Sequence, residues 1–363
     1  MDTEDMHLVW LGFYPMNEHL LNRKLQIKHT IPQKDVEIGF GVQLMLQRED
    51  ILNLSYFKAM MGGPLDSRLR NHIATHYLKL DKTFVVTGGC GFIGSHMTDR
   101  LIGLGYKVVV VDNLLSGRLE NLNKDALLEQ VDISDFDALC GALDKYKDEL
   151  GGIFHFAAIA RTPWCMDDPL LCYKTNVMGT INVLEAARRL GVKRVVLSSS
   201  NVVYAFFTPY RTSKEALEGL STSYHQLYNM SVIALRYSNV YGKRQSEEGP
   251  SPNVFAALRK SKKDRGKLLI TGDGTQTRNY THVSDIVTGN LLAMCNDYCG
   301  VIDLCTGVSV PLNDAAKYFQ CPIEYIAERE GDVKHIIQSP DEAYHILGWK
   351  ALTTLEAGIP DVL

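Results

Sequence analysis

The sequence predicts an α/β fold: a doubly wound parallel sheet, a smaller C-terminal α/β region, and an extra α+β segment at the N-terminus. Three observations carry this prediction. From Lys82 onward, apolar strand-like runs alternate with stretches of helical spacing, as parallel strands joined by crossover helices require. The run Phe84-Val85-Val86-Thr87 meets glycines at 88, 91 and 94, and a helix-compatible stretch follows. A second apolar run, Val108-Val109-Val110-Val111, ends on Asp112, 18 residues beyond Gly94.

Composition narrows the functional classes. The 363 residues suffice for a sizeable core and for two or three domains. With 45% hydrophobic and 22% charged residues, the chain reads as an ordinary soluble globular protein. A net charge of -4 gives no electrostatic footprint for nucleic acid, and the basic run 259–267 reads as a solvated helix end. No apolar run approaches the roughly 18 residues that span a bilayer, so no membrane association is expected. Asp2, Glu4 and Asp5 leave the N-terminus without the basic start of a secretory signal. The eight cysteines are scattered without metal-type pairs, Cys295 and Cys299 being the closest, so no metal is expected. Cys90, Cys140 and Cys305 fall inside predicted elements, as small buried hydrophobes do. A reducing, cytoplasmic setting follows.

Residues 1–81 lie outside the alternating pattern. Stretches 7–13 and 36–46 read as strands, and 49–61 as a helix ended by Gly62-Gly63-Pro64. The segment is too apolar for disorder, and no chemistry attaches to it. A docking or assembly domain, with a further partner, and a lid over the remaining chain are its open roles. The boundary falls near 79–82. Residues 82–235 form the first α/β domain and 236–363 mainly a second region, with some strands returning to the first sheet.

The glycine turn has a physical reading. A tight turn before a helix leaves backbone N–H groups for a pyrophosphate, and glycine lets the phosphates approach. Asp112 is placed to accept bonds from an adenosine ribose and would repel a 2′-phosphate, which favours NAD over NADP. After a polar turn, 129–133 reads as a short strand whose Asp132 reaches the adenine amine. The run 152–158 is a buried strand ending in small residues, against which a cofactor can lie. Asn176 opens a helix over 176–187, and 193–200 is a strand running into Ser198-Ser199-Ser200.

At this point the chain resembles the extended short-chain dehydrogenases/reductases, in particular the nucleotide-sugar epimerases of the UDP-galactose/UDP-glucose 4-epimerase type, over roughly 82–350. The motifs are Thr-Gly-Gly-Cys-Gly-Phe-Ile-Gly at 87–94, Asp112-Asn113, His155-Phe156-Ala157-Ala158 and Asn176-Val177-x-Gly179-Thr180. Arg236-Tyr237-Ser238-Asn239-Val240-Tyr241-Gly242, the stretch 272–280 with Arg278, and Arg329-Glu330-Gly331-Asp332 are similar to the family's substrate segments. The resemblance implies a Rossmann-type fold with bound NAD and a nucleotide-sugar substrate. It assigns the cofactor to Gly88, Gly91, Phe92, Ile93, Gly94, Asp112, Asn113, Ser116, Gly117, Asp132, Ile133, Phe156, Ala157, Ala158, Ala160, Asn176, Ser198, Tyr210, Lys214 and Tyr237. Ser200, Asn239, Arg278 and Arg329 would hold the substrate, the two arginines through its diphosphate. Arg236, inside an apolar strand, reads instead as a buried ion-pair partner.

The implied reactive centre is Ser200 with Tyr210 and Lys214. Four residues along a helix put the phenol and the ammonium on one face. An ammonium there would draw the phenol from a pKa of about 10 towards neutrality and make it a usable base. By this likeness Tyr210 takes the proton of the sugar 4-hydroxyl while hydride passes from C4 to NAD. The 4-keto sugar then turns and is reduced on its other face. Relatives pair as homodimers through helices matching 176–190 and 210–228, so a homodimer is expected.

The chain departs from the pattern at several places. Nine residues, 201–209, separate Ser200 from Tyr210, where relatives carry a longer loop, and Ala205 replaces their usual glycine. The short connection opens the substrate side or displaces Tyr210. Arg161-Thr162-Pro163-Trp164-Cys165 replaces a commoner serine-containing sequence, and Asn279 replaces an aspartate. The chain ends at Leu363 without the final helix of many relatives. Relatives that dehydrate or decarboxylate the sugar carry an acid just after the catalytic serine position, where this chain has Asn201-Val202-Val203. That favours 4-epimerisation over dehydratase or decarboxylase activity. A binding or assembly protein with an impaired epimerase-like domain is the third reading. Ile336 aligns with a position that limits pocket size and leaves both a hexose and an N-acetylhexosamine open.

Overall fold

The computed structural model of the chain describes residues 9–12, 41–44, 82–247, 253–328 and 333–363. Strands β1 (Val9–Gly12) and β2 (Gly41–Leu44) pair antiparallel, within the two stretches expected to be strands. The helix expected over 49–61 lies outside the described residues.

Seven strands form the central sheet: β3 (Thr83–Thr87), β4 (Lys107–Val111), β5 (Leu127–Glu129), β6 (Leu150–His155), β7 (Arg194–Ser200), β8 (Ser231–Tyr237) and β12 (Gly300–Leu304). Their order is β12-β8-β7-β6-β3-β4-β5, and every pairing is parallel. Both faces are covered, which is why β3 and β4 read as unbroken apolar runs. Phe84, Val86, Val108 and Val110 pack on one face beneath helices α1 (Phe92–Gly103) and α8 (Val283–Met294). Val85, Val109 and Val111 pack on the other beneath α2 (Phe136–Asp144), α5 (Gly179–Arg189) and α6 (Pro209–Tyr228). The chain leaves β3 towards β4 on one side and returns to β6 on the other. Such a reversal opens a crevice at the carboxyl ends of the strands.

A second, smaller layer closes that crevice. β9 (Asn239–Tyr241) follows β8 after one residue and pairs with β11 (Thr277–His282), which pairs with β13 (Ser309–Pro311). β10 (Leu268–Thr271) pairs with β14 (Ile323–Ile326). Helices α7 (Val254–Arg265) and α9 (Leu312–Lys317) bury Phe255, Leu258, Leu312 and Ala315 in a core of their own. No helix among the described residues is long and apolar enough to cross a membrane.

Four local expectations are corrected. The strand expected over 129–133 lies at Leu127–Glu129, because Asp132 turns the chain: its carboxylate accepts from Ser134 N at 2.8 Å and its carbonyl from Asp135 N. The strand expected over 152–158 ends at His155, whose ring bonds Thr87 and Thr180 hydroxyls at 2.7 and 3.0 Å. Asn176 does not open a helix. The helical path starts with α4 (Pro169–Tyr173), widens into a π turn at Lys174–Met178 that contains Asn176, and continues as α5. Cys90 sits in the glycine turn and Cys305 just beyond β12, both fully buried, while Cys140 lies in α2 as expected.

Candidate active site

The cleft at the strand ends has a volume of about 1590 Å³. That exceeds the range of about 300–1,000 Å³ usual for one small ligand, so there is room for two side by side. Its walls are built differently.

The glycine turn forms the first wall. Gly88 has φ +70°, and a Cβ there would stand 2.7 Å from Ala157 N. A Cβ on Gly94 would drive into the Gly88 carbonyl. The turn therefore folds tightly against the Phe156–Ala158 segment only with glycine at these positions. Gly91 caps α1 with no side-chain hydrogen bond, so the first-turn N–H groups at Phe92, Ile93 and Gly94 face the cleft for an anionic ligand. Asp112 directly follows β4 and is buried, its carboxylate accepting from Cys90 N at 2.9 Å and Leu114 N at 2.8 Å. Burial raises its pKa more than these two bonds lower it. Two of about four lone-pair sites stay available to ribose hydroxyls. A dinucleotide carrying a diphosphate and an unphosphorylated ribose fits this donor and acceptor set.

Asn113, Ser116, Gly117, Ile133, Phe156, Ala157, Ala158 and Ala160 line the same wall. Asp132 stands behind it: Val131 and Ile133 line the cleft, while the Asp132 carboxylate accepts from Asn113 Nδ2 at 3.0 Å. Asn176 is also behind the lining. Its buried amide accepts from Ile159 N at 2.8 Å and donates to Ile159 O and Ser213 Oγ at 3.1 and 3.0 Å, joining the loop after β6 to α6. Tyr237 reaches the cleft wall, but its hydroxyl donates to Asn290 Oδ1 at 2.8 Å.

The second wall carries the reactive groups. Ser200 ends β7, and its hydroxyl accepts from Val202 N at 3.2 Å. The nine-residue connection makes a 3₁₀ turn over Asn201–Tyr204 before Thr208 caps α6, its hydroxyl accepting from Arg211 N at 3.2 Å. Pro209 stands first in the helix and Tyr210 second. Lys214 Nζ is buried, donates to Ser198 O at 2.7 Å and lies 5.9 Å from the Tyr210 ring centroid. Burial pushes the ammonium down to about 8.

Burial dominates the electrostatics at Tyr210. Burial raises the phenol to about 12, while a bond from Ser200 and the charge of Arg161 pull the other way. Lys214 is anchored on the Ser198 carbonyl.

The short connection is pinned from below. Tyr210, Lys214 and Glu218 recur at four-residue spacing on α6, and Glu218 takes the Ser199 hydroxyl at 2.6 Å and the Arg236 guanidinium at 2.8 and 2.7 Å. Arg236 is the ion-pair partner expected of it. It also donates to the Tyr204 hydroxyl at 2.6 Å, which lies 3.1 Å from both Asp303 carboxylate oxygens. The 3₁₀ turn is therefore tied at Tyr204 to β8 and β12.

Asn239 and Arg278 reach the cleft from β9 and β11. Asn239 Oδ1 accepts from Asn201 Nδ2 at 3.4 Å, and Arg278 Nη1 donates to Thr277 O and Lys334 O at 2.8 and 3.2 Å. Ile336 lines the cleft and is buried. Arg329 lies outside the described residues. The basic run 259–267 does end a helix, yet Arg259, Lys260 and Lys263 also line the cleft. Sequence reasoning missed Arg161 and Asn253, which bond across the cleft mouth, Nη1 to Oδ1, at 2.6 Å. The signal was the departure of 161–165 from the commoner serine-containing sequence. Among the described residues no group of three or more His, Cys, Asp or Glu is arranged to hold a metal ion.

Comparison with known proteins agrees with this geometry. A family model described as the NAD dependent epimerase/dehydratase family matches residues 84–301. A UDP-glucose 4-epimerase of Mycolicibacterium smegmatis is 34% identical over 76% of this chain and 95% of its own. A UDP-glucuronic acid decarboxylase of Arabidopsis thaliana is 31% identical over 76% of this chain and 66% of its own. The crystal structure of a UDP-glucose 4-epimerase with UDP-glucose from Thermotoga maritima superposes with a TM-score of 0.72 at 33% identity, covering 77% of this chain and 97% of that one.

Proposed function

The chain belongs to the NAD-dependent epimerase/dehydratase family, and from that premise we propose that it inverts C4 of a UDP-linked sugar through a 4-keto stage. One observation carries the proposal: Ser200, Tyr210 and Lys214 line the same cleft as the glycine turn and Asp112; the family resemblance adds that Asn201-Val202-Val203 carries no acid where relatives that dehydrate or decarboxylate the sugar have one. The chemistry NAD supplies when bound is the reversible two-electron oxidation of a secondary alcohol.

The protein supplies the remaining functions. Tyr210 takes the proton of the 4-hydroxyl and later returns it, and Ser200 bonds the same oxygen. Lys214, fixed on the Ser198 carbonyl, presents its other N–H donors to the nicotinamide ribose. Asn239, Arg278 and Arg329 hold the nucleotide end while the sugar turns, a motion the cleft volume accommodates. A homodimer through α5 and α6 is part of this reading, supported by Tyr173, Met178, Leu227 and Tyr228, which stand exposed on or beside these helices.

The test is incubation of the purified chain with UDP-glucose and UDP-N-acetylglucosamine, chromatography of the products, and assay of NAD released on denaturation. Formation of the 4-epimer without added cofactor, abolished by Tyr210→Phe, supports the proposal. Bound NAD with no 4-epimer formed from either of these or from UDP-glucuronate overturns it.

A further inference from the structure

One cation in the cleft has no role in the chemistry above. Arg161 follows the β6 loop and forms the N-terminal boundary of the short helix α3 (Thr162–Asp167). Its Nη1 donates to Asn253 Oδ1 at 2.6 Å and to Ala160 O at 3.2 Å, both neutral acceptors. Among the described residues no carboxylate pairs with it, and burial lowers its pKa with only the Tyr210 phenol opposing. A half-buried guanidinium without a counter-ion is costly, and an anion that satisfies its remaining donors removes that cost. Its planar fork matches a carboxylate in bidentate geometry.

Its location narrows which anion. Tyr210 packs against the cluster that holds Cys165 of α3, as Trp164 does, and Arg161 acts electrostatically on the Tyr210 phenol. A hexose with its 4-hydroxyl at that phenol places C5, and the group on C5, on the next carbon of the ring. In a uronic acid that group is a carboxylate; in a neutral hexose it is a hydroxymethyl with no charge to offer. We propose that Arg161 is the recognition group for a carboxylate on the sugar, so that the preferred substrate is a nucleotide-linked uronic acid. The inference rests on the sugar-nucleotide reading of the cleft. The nucleotide diphosphate is the other anion within the cleft, and the experiment separates the two.

The NAD-loaded full chain is titrated calorimetrically with UDP, UDP-glucose and UDP-glucuronate, as wild type, Arg161→Ser and Arg161→Lys. A charge-assisted bond in a cleft should make the wild type bind UDP-glucuronate at least about tenfold more tightly than UDP-glucose. Arg161→Ser should erase that ratio while leaving UDP affinity within about twofold, and Arg161→Lys should restore part of it. Equal or weaker wild-type binding of UDP-glucuronate overturns the inference, whatever the variants do. Loss of UDP affinity in Arg161→Ser as large as the loss for UDP-glucuronate overturns it too, by assigning Arg161 to the diphosphate. Product chromatography on the same samples keeps the readings apart. Release of carbon dioxide and a pentose, or absence of any epimer, with the binding ratio intact, would sink the 4-epimerase proposal and leave this one standing.

Discussion

On the glycine-turn side of the cleft, the constraints are those of the main chain: Gly88 at φ +70°, Gly94 with no space for a Cβ, and a helix start with its N–H groups uncapped. On the opposite side the constraints lie in side chains. Glu218, Arg236, Tyr204 and Asp303 tie the short connection down, and Arg161 reaches across to Asn253. A wall made by the backbone tolerates few residue types and holds one ligand chemistry. A wall made by side chains keeps its shape through hydrogen bonds, and exchanging one residue retunes which sugar it accepts.

The comparison can be broken at its most demanding point first. Tyr210→Phe removes the only group on the second wall assigned to move a proton. Turnover should fall about 10³-fold with NAD content unchanged, as general acid–base catalysis is worth. Loss of NAD along with activity would mean that the walls are not separable. Glu218→Ala leaves the Arg236 guanidinium without its carboxylate. A pair this buried should cost about 3 kcal/mol in urea denaturation, and the connection at Tyr204 should become protease-sensitive. A change of only a few tenths would mean that the ion pair does not hold the wall.

Gly94→Ala tests the other side. Pressing a methyl group into the Gly88 carbonyl should cost about 2 kcal/mol and empty the protein of NAD, while the Tyr204 tie stays intact. The smallest effect is a pH dependence. Unfolded, Lys214 keeps its proton up to its ordinary pKa of 10.5; folded, burial brings that down to about 8. Between those values the unfolded chain binds more protons, so stability of the NAD-free protein rises with pH through that window and is flat below it. Above pH 10 Tyr210, raised to about 12, acts oppositely, because the unfolded phenol ionises first. The melting midpoint should climb by roughly a few degrees from pH 8 to 10. Lys214→Met should abolish the climb.

These two walls also differ in how far the sequence discloses them. Gly88, Gly94 and Asp112 are legible because a steric requirement leaves one or two residue types at a fixed spacing. The sheet is legible for a related reason: strands buried on both faces must be apolar throughout, as 84–87 and 108–111 are. The Tyr210 environment was less legible, because the burial of the phenol and the nearness of Arg161 to it are set by tertiary packing. Asp132 shows the same limit on a smaller scale. Its carboxylate accepts from Ser134 N and Asn113 Nδ2, contacts that the local sequence does not disclose. Arg161 was visible as a departure, yet its reach to Asn253, 92 residues on, is a tertiary fact.

The π turn at Lys174–Met178 has a consequence for how this chain can vary in length. A π turn holds one more residue than an α-helical turn, so the helical periodicity of the sequence is offset by about 100° across it. That offset lets α4 aim Cys172 at the Tyr210 cluster while α5 aims Val183 and Leu184 at the sheet. Deleting a single residue here would turn the π turn into an α-helical one and leave both faces aimed as they are, because the wider turn already absorbs the extra residue. A one-residue deletion, which in an ordinary helix would rotate everything beyond it by about 100°, is here the change in length the chain should tolerate best.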